Sequence, residues 1–542
     1  MSVNEDTAAD KTHSATLPDR EPQNQTPGDV VEPAGAPVAM LLATLVIAVC
    51  GLVYELLAGT ISSYLLGDSV YQFSIVIGVF MAAMGLGAYL TRFIHGALTD
   101  NFVVVQLALG VAGGLSAPIL YFSFAALDNY QAMLLLTLVL TGTLVGVEIP
   151  LILRILREHQ SLRVNLSNVL SLDYAGALIA ALLFPIVLVP QLGLIRTSML
   201  FGLLNVVVAA LTLWLLRPLI LRFSTLALVT VVLSTGLAGG LIYAERIEKF
   251  VETRLYAGEI IFAETSPYQR LVLTRREGVT NFYLNGGLQF STIDEHRYHE
   301  ALVHPAMSMA ERHQQVLIIG GGDGLAAREV LRHTNVKQVT LVDLDPRVTG
   351  LFKDNEELAK LNRFSLRDPK VRIINADAGK FLEANQQTFD VVIIDLPDPH
   401  DIGLSRLYTD HFYTNLLSHV AGGGVVVTQA TSPYYAREAF WCIDQTLRSV
   451  RSPLDRNRTL ATVPYHAYVP TFGDWGFVAA SPRALKWENI KLPPGLKFLN
   501  GDSLKTLRIF APDVARVDVE PNTLQTHQLA QYYEQGWSRW YQ

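Results

Sequence analysis

Hydrophobic residues fill long uninterrupted runs in the first half of the chain and short alternating runs in the second half. Seven runs in the first half approach or exceed the roughly 20 apolar residues that a helix needs to cross a bilayer. These runs are 38–58, 70–92, 102–126, 132–153, 172–190, 197–216 and 223–243. Their close succession predicts an α-helical, multi-pass membrane domain over residues 37–243, with the lipid bilayer as its partner.

Charged residues divide the chain at the same place. Residues 37–243 contain 14 Asp, Glu, Lys or Arg in 207 positions, whereas residues 244–542 contain 68 in 299. Only the second value is close to the roughly 25% typical of soluble domains. Residues 1–36 have seven acids against two bases, which predicts a disordered acidic tail and not a signal peptide.

Arginine residues indicate the orientation of the predicted membrane domain. They follow the second, fourth and sixth runs, as Arg92, Arg154, Arg157, Arg163, Arg217 and Arg222. Because arginine-rich loops tend to stay in the cytoplasm, the pattern places the N-terminus there. Seven crossings would then place the second half of the chain outside the cytoplasm.

The second half combines a small antiparallel β unit with an α/β domain. Residues 255–292 alternate apolar and polar side chains around Asn285-Gly286-Gly287, which is typical of a tight hairpin. Further along, apolar runs alternate with helical stretches, which predicts a Rossmann-like, mostly parallel sheet. The predicted strands are 316–320, 338–343, 371–375, 390–395 and 424–429. We therefore predict a linker and β subdomain over 244–300 and a Rossmann-like domain over 301–542.

Glycine and aspartate residues follow these strands, at the edge where doubly wound sheets bind ligands. Gly320 and Gly322 belong to a glycine-rich turn that lets a ligand approach the start of a helix. Asp343 ends the second strand, where an acid can accept both ribose hydroxyls, and Asp377-Ala378 follows the third strand. This spacing fits either a dinucleotide or an adenosyl nucleoside.

Three further carboxylates narrow the choice of ligand. Asp323 lies in the glycine-rich turn, where it would repel a pyrophosphate or a methionine carboxylate and attract a cation. The turn therefore favours an adenosyl ligand whose tail is an amine. Asp395 and Asp398 follow the fourth strand as a pair of acids three residues apart. A single Asp at a strand end is more often a helix cap, so the inference depends on the whole series.

Seven short motifs strengthen this interpretation. They are YQ at 268–269, LNGGLQ at 284–289, DEHRYHE at 294–300, GGGDG at 320–324, VDLD at 342–345, NADA at 375–378 and DLPDP at 395–399. In this order they resemble the polyamine aminopropyltransferases, or spermidine synthases, over about residues 265–540. The apolar half resembles the membrane-fused branch of that family, which is likened to half of a major-facilitator transporter.

The resemblance implies that the propylamine group of decarboxylated S-adenosylmethionine moves to putrescine, giving spermidine and methylthioadenosine. The donor is then a co-substrate, and no prosthetic group or metal is implied. The residues implied to hold the donor beside the glycine-rich turn are Gln269, Asp343, Asp377 and Ala378. Those implied to contact the amine are His299, Asp323, Asp395 and Asp398, with support from Tyr298, Gln289 and Gln429. Asp395 is implied to be the proton acceptor.

Two other hypotheses and the identity of the amine stay open. A methyltransferase using intact S-adenosylmethionine would have to tolerate Asp323, and a transporter-like protein with a ligand-sensing synthase fold need not keep Asp395 and Asp398. Phe472 stands where soluble relatives often present a tyrosine hydroxyl to the polyamine, so the acceptor could be putrescine, cadaverine, agmatine or spermidine. A net charge of −7 without a basic block argues against a nucleic-acid partner, and a homodimer is compatible with the sequence.

Three acids, Glu55, Glu148 and Asp173, lie within the apolar runs, where ionisable groups are costly. They either pair with nearby arginines such as Arg154 and Arg157, cap helices broken near Pro150, or belong to a pathway for polyamines or ions.

The side of the membrane on which the second half lies has two conflicting indications. The arginine pattern places it outside, but the implied donor is a charged cytosolic metabolite. We predict an inner-membrane protein with a cytoplasmic catalytic domain, which requires that one run does not cross. The runs that best fit this requirement are the one containing Glu148 and Pro150 and the one following Asp173.

Overall fold

The computed structural model describes residues 36–66, 69–126, 129–156, 162–452, 454–455 and 457–540, so the predicted acidic tail lies outside it except for Ala36. The first half forms helices connected by short turns. Their bounds are α1 Ala36–Leu66, α2 Ser69–Leu90, α3 Leu98–Gly114, α4 Ser116–Ala126, α5 Tyr130–Leu156, α6 Leu162–Leu183, α7 Gly193–Leu215 and α8 Phe223–Leu255.

Six helical stretches among the described residues are long and apolar enough to cross a membrane. Five of them, Val38–Leu65, Tyr71–Phe93, Leu98–Ala125, Tyr130–Leu156 and Phe223–Phe250, each overlap one predicted run. The remaining stretch, Arg163–Leu215, has 53 residues and includes both the fifth and the sixth run. The fifth and sixth predicted runs therefore lie in one helical stretch.

This long stretch reverses its direction near Gly193. A straight helix of its length would extend about 80 Å, more than twice the thickness of a bilayer core. A π-helical segment, Phe184–Leu192, leads to Gly193, whose φ of 74° and ψ of 175° interrupt the helix. Asn165 near the start of α6 donates a 2.8 Å hydrogen bond to the carbonyl of Leu156 at the end of α5. The two arms of the stretch, α6 and α7, are separate passes through the bundle.

The first and last helices of this region run in the same direction. The hydroxyl groups of Tyr64, near the end of α1, and Tyr256, just after α8, lie 2.9 Å apart. At the other end of the bundle, Arg222 before α8 pairs with Asp100 near the start of α3 at 3.4 Å. The chain therefore traverses the bundle an odd number of times.

The arginine-bearing ends of the helices lie together. Arg154, near the end of α5, donates hydrogen bonds of 3.0 and 2.9 Å to the carbonyls of Thr91 and Ile94, which follow α2. These residues precede α3, at the same end as the contact between Arg222 and Asp100. The second half of the chain begins after α8, at the opposite end of the bundle.

The small β unit is a four-stranded antiparallel sheet in the order β1-β2-β3-β4. Its strands are β1 Glu259–Thr265, β2 Arg270–Arg276, β3 Val279–Leu284 and β4 Gly287–Ser291. Asn285 and Gly286 connect β3 to β4 with φ angles of 47° and 83°. Two residues with positive φ match the right-handed twist of the flanking strands, which confirms the predicted hairpin.

The following domain is Rossmann-like. Its seven-stranded sheet has the order β10-β11-β9-β8-β5-β6-β7, with β5 to β9 parallel and β10 and β11 antiparallel. The strands are β5 Gln315–Gly320, β6 Gln338–Asp343, β7 Val371–Asn375, β8 Phe389–Asp395, β9 Val420–Gln429, β10 Ala461–Val469 and β11 Gly473–Ser481. All five predicted strands are present within a few residues of their predicted bounds.

Helices cover both faces of this sheet. They are α9 Glu295–Met309, α10 Leu325–Val330, α11 Pro346–Asp354, α12 Glu356–Leu361, α13 Ala378–Ala384, α14 Ile402–Ser405, α15 Asp410–Leu417, α16 Arg437–Ser449, α17 Gly501–Thr506 and α18 Gln528–Ser538. Successive residues of β5 enter opposite cores, with Ile318 in one and Leu317 and Ile319 in the other. Burial on both faces explains the continuous apolar runs. The chain order reverses between β5 and β8, which opens a crevice at the carboxyl ends of these strands.

Candidate active site

Asp395, the last residue of β8, lies in this crevice beside the glycine-rich turn. The N–H of Gly321 donates a 3.0 Å hydrogen bond to the carbonyl of Asp395. A Cβ atom at Gly320, which has a φ of 81°, would lie only 2.1 Å from the same carbonyl oxygen. Only glycine permits this approach of the turn to the strand. The turn therefore places its backbone directly against the acid at the end of the neighbouring strand.

Two consecutive residues of α9 face the Asp395 carboxylate. The Tyr298 hydroxyl donates a 2.8 Å hydrogen bond to Oδ1, and Nε2 of His299 lies 4.0 Å from Oδ2. Burial and the charge of Asp395 raise the pKa of Tyr298 well above its usual value, so the phenol stays a donor. Burial raises the pKa of Asp395, whereas His299 and Tyr298 oppose that rise. The sequence prediction brought these three residues together correctly, and their chemical roles stay predictions.

A buried ion pair keeps His299 charged. Its Nδ1 lies 2.9 Å from Glu295 Oε2, and Arg328 holds both carboxylate oxygens of Glu295 at 3.0 and 2.8 Å. Burial lowers the pKa of His299, but Glu295, Asp395 and other acids outweigh it and raise the pKa to about 9. His299 is therefore an imidazolium at neutral pH.

Sequence reasoning did not assign roles to Glu295 and Arg328. The four-residue spacing between Glu295 and His299 on one helix face could have suggested the first contact. Nothing in the sequence indicates the second contact, because Arg328 reaches Glu295 from a different helix, α10.

Asp323 and Asp343 lie partly buried on the other side of the turn. Burial raises the pKa of Asp323 to about 6 and that of Asp343 to about 7. Asp323 also accepts a 2.8 Å hydrogen bond from the N–H of Leu325 at the start of α10, although the N-cap residue of that helix is Gly324. Asp343 accepts hydrogen bonds from the N–H groups of Gly322 at 3.1 Å and Asp345 at 2.9 Å.

Asp398 lies in the loop after β8 and contacts distant parts of the chain. Its Oδ2 accepts hydrogen bonds from the hydroxyls of Tyr533 at 2.9 Å and Thr431 at 3.3 Å. Its Oδ1 is buried and has no hydrogen-bond partner among the described residues. Burial raises the pKa of this carboxyl to about 6. Sequence reasoning did not identify Tyr533, which lies on the last helix, or Thr431.

Asp377 and Ala378 lie at the start of α13. Asp377 caps this helix by accepting a 3.0 Å hydrogen bond from the N–H of Lys380, and it pairs with Arg406 at 2.5 Å. Burial would raise the pKa of Asp377, but Lys380 N–H and Arg406 together lower it. The side chain of Asp377 is thus already engaged, as the helix-cap interpretation expects, while its carboxylate stays at the edge of the sheet.

The three predicted glutamines occupy different environments. Gln269 donates a 3.1 Å hydrogen bond to Asp345, just after β6, and so lies close to the strand end that carries Asp343. Buried Gln429 donates to the carbonyl of Leu396 at 3.0 Å and thereby holds the loop after β8. Gln289 donates to the carbonyl of Gly287 in its own hairpin at 3.0 Å, and no hydrogen bond among the described residues links it to the carboxylates of the crevice.

The crevice therefore concentrates negative charge. Four carboxyls with raised pKa values line it, at Asp323, Asp343, Asp395 and Asp398, and the imidazolium of His299 is the cation among them. Ionising all four is unfavourable without further positive charge. A ligand carrying several positive charges would relieve this repulsion, and an ionised Asp395 could accept a proton from it.

Comparisons with known proteins agree with this chemistry. A family model described as the spermine/spermidine synthase domain matches residues 295–486. The polyamine aminopropyltransferase of Leptospira interrogans is 45% identical over 501 residues, which cover 92% of this chain and 99% of that protein. Polyamine aminopropyltransferase 1 of Ralstonia nicotianae is 44% identical over 528 residues, covering 94% and 98%.

A solved structure gives a further, partial similarity. A crystal structure of spermidine synthase in complex with the transition-state analogue AdoDATO is 26% identical, with a TM-score of 0.42, and covers 47% of this chain and 86% of that one. The identities to the two bacterial enzymes extend over nearly their whole length and include the apolar half. The chain belongs to the polyamine aminopropyltransferase family.

Proposed function

We propose that this protein transfers the propylamine group of decarboxylated S-adenosylmethionine to putrescine, giving spermidine and methylthioadenosine. The observation that carries the proposal is the placement of Asp395 between the glycine-rich turn and the pair Tyr298 and His299. A proton acceptor there is surrounded by further acids that favour cationic substrates over anionic ones. Family membership supports the same reaction.

The donor would lie along the ends of β5, β6 and β7. Gly320 and Gly322 leave room for close approach of the nucleoside, since a Cβ at Gly322 would lie 2.6 Å from the Asp343 carboxylate. Asp343 would accept the ribose hydroxyls, with Gln269 nearby. Asp377 and Ala378 at the start of α13 would contact the adenine. Asp323 would attract the primary amine of the donor tail.

The acceptor would lie on the other side of Asp395. Putrescine is protonated at both ends in water, because aliphatic amines have a pKa near 10. Asp398 would bind one ammonium group through its unpartnered Oδ1. The other nitrogen would approach Asp395 Oδ2 and lose its proton to that oxygen. Tyr298 would orient Asp395, Gln429 would hold the loop that carries Asp398, and Gln289 stays a peripheral candidate.

The reaction is a displacement at carbon. The deprotonated nitrogen forms a bond to the propyl carbon next to sulfur, while the bond from that carbon to sulfur breaks. The electron pair stays on sulfur, which changes from a cationic sulfonium to a neutral thioether. The proton of the attacking nitrogen resides on Asp395. General-base and orientation effects of this kind each contribute orders of magnitude in rate.

A product assay with purified protein would test this proposal. The protein is incubated with decarboxylated S-adenosylmethionine and with putrescine, cadaverine, agmatine or spermidine, and methylthioadenosine and the new amine are quantified. We expect the highest kcat/KM with putrescine. Transfer to another amine alone would refute the acceptor, and methylation by intact S-adenosylmethionine would favour the methyltransferase hypothesis. Ligand binding without any product would favour the sensor hypothesis.

We also propose that the apolar helices anchor the protein in the inner membrane, with the catalytic domain in the cytoplasm. The six long apolar helices are compatible with this location. The cytoplasmic assignment rests on the donor, a charged metabolite made inside the cell. The arginine pattern argues for the opposite orientation, because the arginine-bearing ends lie away from the catalytic half. Arg246, Lys249 and Arg254 at the end of α8 reduce that asymmetry.

Helix α5 does not contain the break that a non-crossing run near Pro150 would require. The run with Glu148 and Pro150 forms the unbroken helix α5, so the structure gives no support to a broken segment there. A Lys486→Cys variant would settle the orientation, because Lys486 is exposed while the native Cys50 and Cys442 are buried. We expect an impermeant thiol reagent to label it only after cell lysis. Labelling in intact cells would refute the cytoplasmic assignment.

The predicted homodimer can be tested by measuring the mass of the detergent-solubilised protein.

A further inference from the structure

A carboxyl group lies wholly buried at the centre of the helical bundle. Glu148 of α5 is 0% exposed, and Gln106 of α3, also 0% exposed, donates a short 2.5 Å hydrogen bond to its Oε1. Glu148 Oε2 and Gln106 Oε1 are both buried and have no hydrogen-bond partner among the described residues. Both unpartnered atoms are acceptors, and they belong to two side chains that already touch. Glu148 and Gln106 together therefore lack one hydrogen-bond donor.

Helices on other sides of the bundle add polar groups to this centre. Asn205 of α7 donates a 2.5 Å hydrogen bond to the hydroxyl of Tyr54 on α1, and its own Oδ1 is a further unpartnered acceptor. Glu148 acts electrostatically on Tyr54 and on Cys50, one turn earlier on α1. Asp173 of α6, which is half-buried, is the charged group that acts on Glu148. Gln106 of α3 contacts the acid directly, and the polar groups of α1, α6 and α7 lie in the same part of the bundle.

Among the described residues, two explanations that the sequence offered for this acid, pairing with Arg154 and capping of a broken helix, do not apply to it. Arg154, on the same helix, is engaged with the carbonyls of Thr91 and Ile94 and not with Glu148. Arg157 lies outside the described residues. The helix continues through Pro150, so Glu148 does not cap a broken end. An isolated buried carboxylate would be very unfavourable in such surroundings.

We propose that Glu148 is an exchangeable proton-binding site of the membrane domain. A single hydrogen on Oε2, shared with Gln106 Oε1, would satisfy both unpartnered atoms and remove the charge. A proton also needs no cavity, unlike a metal ion or an amine. Protonation forms one O–H bond on the Glu148 carboxylate. Departure of this proton in the direction of Asp173 breaks the bond and restores the anion. Such carboxyls in membrane proteins commonly serve proton relays. This inference is independent of the proposed transferase activity.

Carbodiimide labelling of the full-length protein in membrane vesicles would test this site. Dicyclohexylcarbodiimide enters apolar regions and reacts with protonated carboxyls, and mass spectrometry locates the adduct. We expect labelling of Glu148 to fall at least about fivefold as the pH rises from about 5 to about 9, because the proton leaves. Glu55, a second acid of the apolar runs, is the matched control for access of the reagent. In the Glu148→Gln variant the adduct at position 148 should disappear and the adduct at Glu55 should remain.

Three outcomes would overturn the proposal. Labelling that does not change with pH would show a permanently protonated structural group. Absence of the Glu148 adduct at every pH, while Glu55 reacts, would show that the site does not exchange with its surroundings. Protection by sodium or putrescine at fixed pH would assign the site to that cation instead of a proton. If the Glu148→Gln variant fails to accumulate, the pH titration of the unmodified protein still decides between these outcomes.

Discussion

The hydroxyl of Tyr533 donates a 2.9 Å hydrogen bond to Oδ2 of Asp398, across 135 residues of the chain. Tyr533 lies on α18, the last helix, beyond the end of the family match at residue 486. Phe472, at a position where the family resemblance leads us to expect a tyrosine hydroxyl in soluble relatives, packs edge-on against Tyr298 with ring centroids 6.0 Å apart. The last helix therefore provides a hydroxyl to Asp398, on the proposed amine side of the crevice, whereas Phe472 has no hydroxyl.

A Tyr533→Phe variant should bind the acceptor amine more weakly. Loss of a hydrogen bond to a charged group typically costs about 1.5–3 kcal/mol, so the KM for the amine should rise about tenfold or more. The donor KM and kcat should change by less than about twofold, because the described contacts of Tyr533 do not include Asp395, Asp323 or Asp343. Tyr532→Phe is the matched control on the same helix, since its hydroxyl contacts Glu520 instead. An unchanged amine KM would contradict this assignment.

Replacement of Asp395 by Asn should remove turnover and leave donor binding intact. Asn keeps the size of the side chain and can still contact Tyr298, but it cannot accept the proton. We expect the single-turnover rate to fall by about 10²–10⁴-fold. Isothermal titration with the donor should give nearly the same affinity. Tyr298→Phe, which removes only the hydrogen bond to the base, should have a smaller effect. A rate within about tenfold of the unmodified enzyme would exclude Asp395 as the base.

Asp323→Asn should relax discrimination against intact S-adenosylmethionine. The amide keeps an oxygen that can accept the hydrogen bond from the N–H of Leu325, so the fold of the turn is preserved. The negative charge that would repel the methionine carboxylate is lost. We expect the ratio of the two donor affinities to decrease by about tenfold or more. The variant could instead bind the decarboxylated donor more weakly and the intact donor no more tightly. Asp323 would then attract the amine of the donor without excluding the methionine carboxylate.

The value of kcat/KM should decrease as the pH falls through about 7 to 6. In the free enzyme the pKa of Asp343 is about 7 and those of Asp323 and Asp398 are about 6. Below these values the carboxyls become neutral and attract cationic substrates less. Bound substrates stabilise the ionised forms, so the acid limb of kcat should lie at lower pH than that of kcat/KM. Coincident limbs in the two profiles would argue against carboxylates that bind the substrate.

Glu295→Gln should move the alkaline limb of the pH profile to lower pH. Glu295 raises the pKa of His299 to about 9, and burial alone would lower it. Without the anion, His299 should lose its proton nearer neutrality, and Asp395 should lose a neighbouring positive charge. NMR titration of the imidazole would report the change directly. Glu329→Gln is the control, because Glu329 contacts Arg328 and His304 but not His299. The same pKa for His299 in both variants would refute this role of Glu295.

The sequence predicted those parts of the molecule that depend on local patterns. The parallel strands are buried on both faces, so their apolar runs are continuous, and residues such as Asp343 and Asp395 could be placed at strand ends. Contacts between distant segments could not be predicted, as with Tyr533 and Asp398 or Arg328 and Glu295. The family resemblance alone assigned Gln289 to the site. The side chain of Gln289 instead contacts its own hairpin.

The interruption at Gly193 falls in the gap between the fifth and sixth predicted runs. The residues on both sides of it are apolar, so hydropathy could separate two runs but could not distinguish two helices from one bent stretch. The φ of 74° at Gly193 was accessible to glycine for steric reasons, but many glycines in such helices keep ordinary helical angles.

The shared direction of α1 and α8 restricts how the length of this protein can change. If one pass were deleted, the remaining passes could not keep both the arginine-bearing ends and the catalytic domain on their present sides. Deleting or inserting an adjacent pair of helices leaves both sides unchanged. We therefore expect functional truncations and natural length variants to differ by helical hairpins. A soluble version is best engineered by removing the whole bundle before Glu259.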